Sequence, residues 1–75
     1  MAWIKLDRDK ILNLNIATSI FVNNAPSGYI IIVGFGGGYD YTSKVMAIEE
    51  CYKAYELIQT KLFSNELIDI SNETI

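Results

Sequence analysis

The sequence predicts an α+β fold: an antiparallel meander of about four strands, one C-terminal amphipathic helix after it, and a short C-terminal tail. Three observations lead to this prediction. Short apolar segments alternate with turn residues in the first half, a continuous apolar run occupies 29–35, and one helical periodicity begins near residue 48. We expect a single α+β domain over residues 1–65 and a tail over 66–75.

The first two strands are predicted on either side of a charged turn. Residues 2–6 alternate between two faces, the tetrapeptide 7–10 is charged throughout, and the next strand is expected over 11–15. The apolar phase then slips around residues 15–18. This slip indicates a bulge or a short turn that divides the segment into two strands.

The run at 29–35, Tyr-Ile-Ile-Ile-Val-Gly-Phe, is apolar throughout. A strand that is covered on one face alternates apolar with polar residues, so a continuous run predicts burial on both faces. A chain of 75 residues with one helix has material to cover one face. We therefore expect a second copy to cover the other face. The predicted interface residues are Trp3, Tyr29, Ile31, Val33 and Phe35.

Turn residues bracket this apolar strand. The segment 23–28 contains proline and glycine and is predicted as a turn, and the three glycines at 36–38 predict a tight reversal. A returning strand is expected over 39–46. Its alternation places Val45 on the face of the two tyrosines and Met46 on the opposite face.

The helix is predicted from apolar residues at three- and four-residue steps. Ser64 and Asn65 are expected to follow its end. The tail contains a short apolar segment, and three outcomes are open for it: fraying, a short strand, or contact with a neighbouring subunit. The apolar stripe of the helix consists of Ile48, Cys51, Tyr55, Ile58 and Leu62.

Composition and charge argue against several classes of protein. The net charge is −3 and the six basic residues are scattered, which disfavours nucleic-acid binding. A single cysteine excludes an internal disulfide, and the lack of histidine argues against a zinc site, so no cofactor is expected. Oligomerisation remains as the means of stabilising so short a chain. No run is long enough for a membrane span and no export signal is recognisable, so we expect a cytoplasmic protein.

No catalytic constellation can be assembled from the sequence. Cys51 lies on the apolar stripe of the helix, and the chain has no histidine to act as its base. The serines and threonines form neither a Ser-His-Asp set nor a Gly-x-Ser-x-Gly elbow. We therefore expect a protein without enzymatic activity.

The glycine cluster 34–38 is interpreted as a hairpin turn, because Tyr39 stands where a dinucleotide-binding loop needs its last glycine and no helix follows directly. A ligand loop stays open as the alternative, since glycine amides and flanking aromatic rings can contact one small ligand. A nucleotide would also need cations, which the first hairpin offers. The candidate ligand-binding residues are Lys5, Arg8, Lys10, Phe35, Gly36, Gly37, Tyr39 and Tyr41.

Four segments resemble a family of small uncharacterised proteins of Gram-positive bacteria and their phages. They are Trp-Ile-Lys-Leu at 3–6, Ile-Leu-Asn-Leu-Asn at 11–15, Ser-Ile-Phe-Val at 19–22, and Glu-Glu-Cys-Tyr-Lys-Ala-Tyr-Glu-Leu-Ile at 49–58. The resemblance covers about residues 2–62 and implies a strand meander followed by one helix.

Small phage proteins act by binding, and the resemblance therefore implies a binding function. We expect a non-enzymatic, homo-oligomeric protein of phage origin that antagonises a host defence process, either by sequestering a small nucleotide or by blocking a host protein. The alternative is a bacterial structural or regulatory module that docks a protein partner through its helix or its tail.

Overall fold

A computed structural model describes residues 2–71 of the chain. Over these residues the chain forms six strands, one α-helix and one short 3₁₀ helix. In chain order the elements are β1 (Trp3–Asp7), β2 (Lys10–Asn13), the 3₁₀ helix (Leu14–Ile16), β3 (Ser19–Ala25), β4 (Gly28–Gly34), β5 (Asp40–Thr42), α1 (Ile48–Lys61) and β6 (Leu67–Asp69).

The strands form two small sheets rather than one meander. The first sheet has the order β2-β1-β6 and the second has the order β3-β4-β5. The 3₁₀ helix lies close to the break predicted at 15–18, and it carries the chain from one sheet to the next. Asn13 stabilises it, because its side-chain Oδ1 accepts a hydrogen bond from the backbone N–H of Asn15 at 3.0 Å. The α+β class is thus confirmed, and the single meander is corrected to two sheets.

The helix is followed by a further strand, β6, so it is not the last element of the fold. This strand pairs in parallel with β1, with Trp3 opposite Leu67 and Lys5 opposite Asp69. Of the three outcomes considered for the tail, the short strand is the one observed. Residues 72–75 of the predicted tail lie outside the described part of the chain.

The end of β6 is held by a compact turn. The Asp69 carboxylate accepts hydrogen bonds from the Ser71 hydroxyl at 2.6 Å and from the Ser71 backbone N–H at 3.0 Å. These bonds, together with the nearby Lys5 ammonium, lower the pKa of Asp69 below its ordinary value. Ile70 is buried directly after the strand, and its N–H donates to the Lys5 carbonyl at 3.1 Å.

The inner faces of both sheets and one face of α1 enclose a single hydrophobic core. The helix contacts β3, β4 and β6. The predicted helix stripe is buried or partly buried except at its first residue, Ile48, which is 41% exposed. The buried apolar residues are Ala2, Ile4, Leu6, Leu14, Ile31, Val33, Met46, Cys51, Ile58, Ile68 and Ile70.

The turn between β3 and β4 is shorter than predicted. The strand pairing continues to Ala25 opposite Gly28, which leaves only Pro26 and Ser27 as the loop. The long apolar β4 needs backbone partners along its whole length, and residues 23–25 supply them. Gly28 is required by a close approach, since a Cβ there would lie 2.7 Å from the Met46 carbonyl oxygen.

The returning strand β5 is also shorter than predicted, and its end changes phase. Ser43 donates its N–H to the Ile31 carbonyl at 2.9 Å, and Met46 forms a β-bridge with Tyr29. Between these two contacts the chain advances three residues after β5 but only two residues along β4. The extra residue acts as a bulge and inverts the face on which the next side chains lie. Ser43 and Met46 are therefore both buried and Val45 is exposed, whereas strict alternation places Ser43 and Val45 on one face and Met46 on the other.

The two faces of β4 have different environments. On the inner face Ile31 and Val33 are completely buried. On the outer face Ile32 is partly buried, and its cross-strand neighbour Phe21 is 42% exposed. One chain thus covers one face of β4 fully and leaves an apolar strip on the other.

Alanine substitutions on the two faces test this difference. Ile31→Ala should lower the free energy of unfolding by about 2–5 kcal/mol, because it leaves a cavity in the core. Ile32→Ala removes the same atoms from a partly exposed site and should cost about 1 kcal/mol in a single chain. Urea denaturation at low protein concentration measures both values. Equal losses would contradict the assignment of the inner face.

The Asp69 turn predicts a specific acid dependence. A carboxylate whose pKa is lowered by folding stabilises the native state above its unfolded pKa, and this contribution is lost as the pH falls through its folded pKa. Asp69→Asn should therefore remove part of the stability at neutral pH and flatten the stability profile between about pH 5 and pH 2. Asp9→Asn makes the same change of charge in the first hairpin turn. If both variants gave the same profile, the Asp69 turn would not be the cause.

Candidate functional site

An open apolar groove lies between β2 and the turn that joins β4 to β5. Its volume is about 300 Å³, which is at the small end of the range for ligand sites. Three of the aromatic residues predicted for ligand binding lie in it. The lining residues are Ile11, Leu12, Asn13, Ile16, Phe35, Tyr39 and Tyr41.

The glycine turn forms one end of this groove. Gly36, Gly37 and Gly38 have φ values of +81°, +60° and +85°, a conformation that other residues rarely adopt. The turn is closed by the Phe35 N–H, which donates to the Tyr39 carbonyl at 2.9 Å. As a result Phe35 and Tyr39 stand directly opposite each other, and both reach the groove.

The aromatic wall of the groove is partly ordered by a ring contact. Phe35 and Tyr41 meet edge to face, with ring centroids 5.7 Å apart and ring planes at 77°. Phe35 is partly buried against the core, whereas Tyr41 is 38% exposed and Tyr39 is 70% exposed. In this wall Phe35 is thus held by packing, whereas the ring of Tyr39 is accessible.

The opposite wall comes from β2 and the 3₁₀ helix. Ile11 is 56% exposed and Ile16 is 66% exposed. Ile11 lies on the outer face of the first sheet, opposite Lys5 in the pairing of β1 with β2. Ile16 is the last residue of the 3₁₀ helix and lines the groove from there. Sequence reasoning missed these two residues, because nothing in the pattern distinguishes an apolar residue on an open face from one in the core.

The basic candidate residues do not line the groove. Lys5 lies on β1, next to Asp69 of β6. Arg8 and Lys10 are exposed at the first hairpin, where the Arg8 N–H donates to the Asp7 carboxylate at 2.7 Å. Gly36 and Gly37 are exposed in the adjoining turn and are not among the lining residues either. The structure therefore brings together the aromatic half of the predicted ligand site and not the cationic half.

The predicted interface residues fall into two groups. Ile31 and Val33 are completely buried inside one chain, and Tyr29 and Phe35 are partly buried against the same core. A second copy cannot reach Ile31 or Val33 in the folded chain, which corrects their assignment to an interface. Trp3 is 42% exposed on the outer face of the first sheet and remains accessible.

The nucleophile candidates are held by packing and hydrogen bonding. Cys51 is completely buried, and burial raises the pKa of its thiol. The Ser43 hydroxyl is buried, accepts from the Ile31 N–H at 2.9 Å and donates to the Lys44 carbonyl at 2.9 Å. Both groups thus have structural roles in the core and at the β5 bulge.

Residues 2–71 contain no group of three or more acidic or cysteine side chains placed to hold a metal ion. In the same part of the chain, no helix has the length and apolar character needed to cross a membrane.

Comparison of the chain with protein-family models, with curated proteins and with solved structures found no significant match.

Proposed function

We propose that this chain is a non-enzymatic binding protein that holds an apolar or aromatic segment of another protein in the groove between β2 and the β4–β5 turn. The observation that carries the proposal is the exposure of apolar side chains on both walls, with Ile16 at 66% and Tyr39 at 70%. Clustered apolar surface of this kind marks interaction sites in soluble proteins.

The chemistry of the groove supports a protein partner. Its lining residues are aliphatic or aromatic, apart from the amide of Asn13, and none of them is charged. Tyrosine rings supply a large contact area with a polar end, and they are enriched in protein interfaces for that reason. A ligand with phosphate groups would need cations beside it. The resemblance to small phage proteins suggests that the partner is a host protein blocked by this contact.

A bacterial interaction module that docks through the helix is the second candidate. The observation in its favour is a pair of apolar side chains on the solvent side of α1. Ile48 is 41% exposed and Tyr52 is 48% exposed, although both lie in an otherwise polar surface. This pair also provides a matched control for the groove, since each double variant replaces one exposed isoleucine and one exposed tyrosine.

The proposal predicts that partner binding depends on the groove and not on the helix. Three versions of the protein are used as bait in bacterial lysate: the native sequence, Ile16→Ser with Tyr39→Ser, and Ile48→Ser with Tyr52→Ser. Proteins retained by each bait are quantified by mass spectrometry. We expect the groove variant to lose its partner by more than about tenfold, because truncating two apolar anchors removes at least about 1.4 kcal/mol. The helix variant should retain it.

The other outcomes have distinct meanings. Loss with the helix variant alone would contradict the groove and favour the second candidate. Equal retention by all three baits would contradict both. Circular dichroism of each variant checks that the substitutions, which are confined to exposed side chains, leave the fold intact.

A further measurement distinguishes nucleotide binding from the binding of a protein partner. Native mass spectrometry of the freshly purified protein reports any small molecule that it retains. If the ligand is a nucleotide, Arg8→Ala with Lys10→Ala should abolish the retained mass, since these two exposed side chains are the cations of the first hairpin turn. Retention that is unchanged in this variant would contradict nucleotide binding through that turn.

A further inference from the structure

We propose that β3 is the surface through which two copies of this chain associate, edge to edge, about a two-fold axis at Val22. The second copy extends the β3-β4-β5 sheet into a continuous sheet in which the two β3 strands are antiparallel neighbours. No residue of β3 lines the groove between β2 and the β4–β5 turn. The association is therefore independent of the proposed function of that groove.

Among the sheet edges in residues 2–71, β3 is the one protected neither by short length nor by a charged residue. The other three edge strands, β2, β5 and β6, are four, three and three residues long, and contain Lys10, Asp40 and Asp69 respectively. Short length and charge are the devices by which proteins prevent edge-to-edge association. Strand β3 is seven residues long and reads Ser-Ile-Phe-Val-Asn-Asn-Ala, with neither a charge nor a proline.

The backbone hydrogen bonds show which residues face this open edge. Ser43 donates its N–H to the Ile31 carbonyl, and Phe35 donates its N–H to the Tyr39 carbonyl, both at 2.9 Å. The odd-numbered residues of β4 thus bond toward β5. Because bonding alternates in an antiparallel sheet, the even-numbered residues of β4 bond toward the odd-numbered residues of β3. The residues of β3 that direct their N–H and C=O groups outward are therefore Ile20, Val22 and Asn24.

A separate contact agrees with this direction. The Asn24 N–H donates to the side-chain Oδ1 of its neighbour Asn23 at 2.9 Å, a bond that lies outside the ladder with β4. This local bond satisfies the Asn24 N–H in one chain, and it gives way when that N–H donates to the second copy's Ile20 carbonyl. At Ile20 and Val22 the outward backbone groups point along the open side of the strand, and a second strand is their natural partner.

The symmetry of a homodimer selects one register. A two-fold contact is self-complementary, so the strand must pair with itself in the antiparallel sense. Val22 is the middle of the three outward residues and the middle of β3. An axis at this position places Val22 opposite its own copy and Ile20 opposite the second copy's Asn24. A slip of two residues would leave outward groups unpaired at both ends.

The rest of the chain accommodates this pairing. Each chain has a net charge of −3, and β3 contributes none of it, so the contact brings no like charges together along the strand. Both helices lie on one face of the joined sheet. Since α1 contacts both β3 and β4, the two helices become neighbours across the axis.

The seam between helix and strand is not completely filled by one chain. A groove of about 350 Å³ separates α1 from the beginning of β3 and is lined in part by Ile20, Tyr55 and Gln59. On the opposite face, the partly exposed Phe21 and Ile32 become part of an apolar strip that continues across the axis. The association thus extends the strip that one chain leaves on the outer face of β4.

The proposal is tested by sedimentation equilibrium on chemically synthesised protein. The native sequence should sediment with twice the 8.5 kDa mass of one chain. N-methylvaline at position 22 keeps the side chain and removes the outward N–H. Because both chains of the dimer carry the substitution, two hydrogen bonds are lost. Each bond changes the dissociation constant by about tenfold, so we expect this constant to rise roughly 100-fold. A native protein that is still monomeric at about 100 µM would overturn the proposal. Its dissociation constant would then be weaker than that of interfaces of standard size.

N-methylthreonine at position 42 is the matched control. The alternation of β4 with β5 directs the Thr42 N–H outward from the other edge of the same sheet. Its methylation should leave the dimer unchanged. Weakening by this change alone, or equal weakening by both changes, would overturn the assignment to β3.

Amide hydrogen exchange provides a readout that needs no modified chain. In the native sequence, protection of the Ile20 and Val22 amides should rise with protein concentration, because the second strand bonds them only in the dimer. Protection of the Thr42 amide should not depend on concentration. Exchange at Ile20 and Val22 that is as fast as at Thr42 at every concentration would overturn the proposal even if the N-methylated chain failed to fold.

Discussion

The packing of α1 on the inner face of β4 is the constraint on which the rest of the structure depends. Ile31 and Val33 of the strand and Cys51 and Ile58 of the helix are buried in one core, to which both sheets contribute. A chain of this size can build only one such core. Its single helix therefore covers one face of the central strand, and the outer face keeps a partly exposed apolar strip.

The second constraint is the 3₁₀ helix at Leu14–Ile16, which ends one sheet and starts the next. This turn directs the chain out of the first sheet before β3 begins. With it, the edge of the first sheet lies beside the turn between β4 and β5, and the groove forms between them. The same redirection leaves Ile16 exposed at the groove and leaves β3 at the edge of its sheet. The two proposed contacts, the groove and the β3 edge, thus follow from one local feature.

Several features of the fold and the site were predictable from local sequence. The helix, the apolar central strand, the glycine reversal and the break before β3 each depend on residues adjacent in the chain. The aromatic half of the site was also predictable, because Phe35 and Tyr39 flank a turn that must bring them together. The other wall was not, since Ile11 and Ile16 look like ordinary strand residues until the two sheets are placed. The bulge that buries Met46 instead of Val45 was hidden for a similar reason, as it depends on how Tyr29 pairs.

The sequence by itself determined the α+β class, the position of the helix, the two-faced apolar character of β4, and the lack of histidine and of a second cysteine. These properties depend on composition and short-range periodicity. Only the tertiary structure decided that β6 returns to pair in parallel with β1, that the basic hairpin residues do not line the groove, and that β3 is the unprotected edge. Each of these depends on contacts between segments far apart in the chain, and a one-dimensional pattern does not specify which distant segments meet.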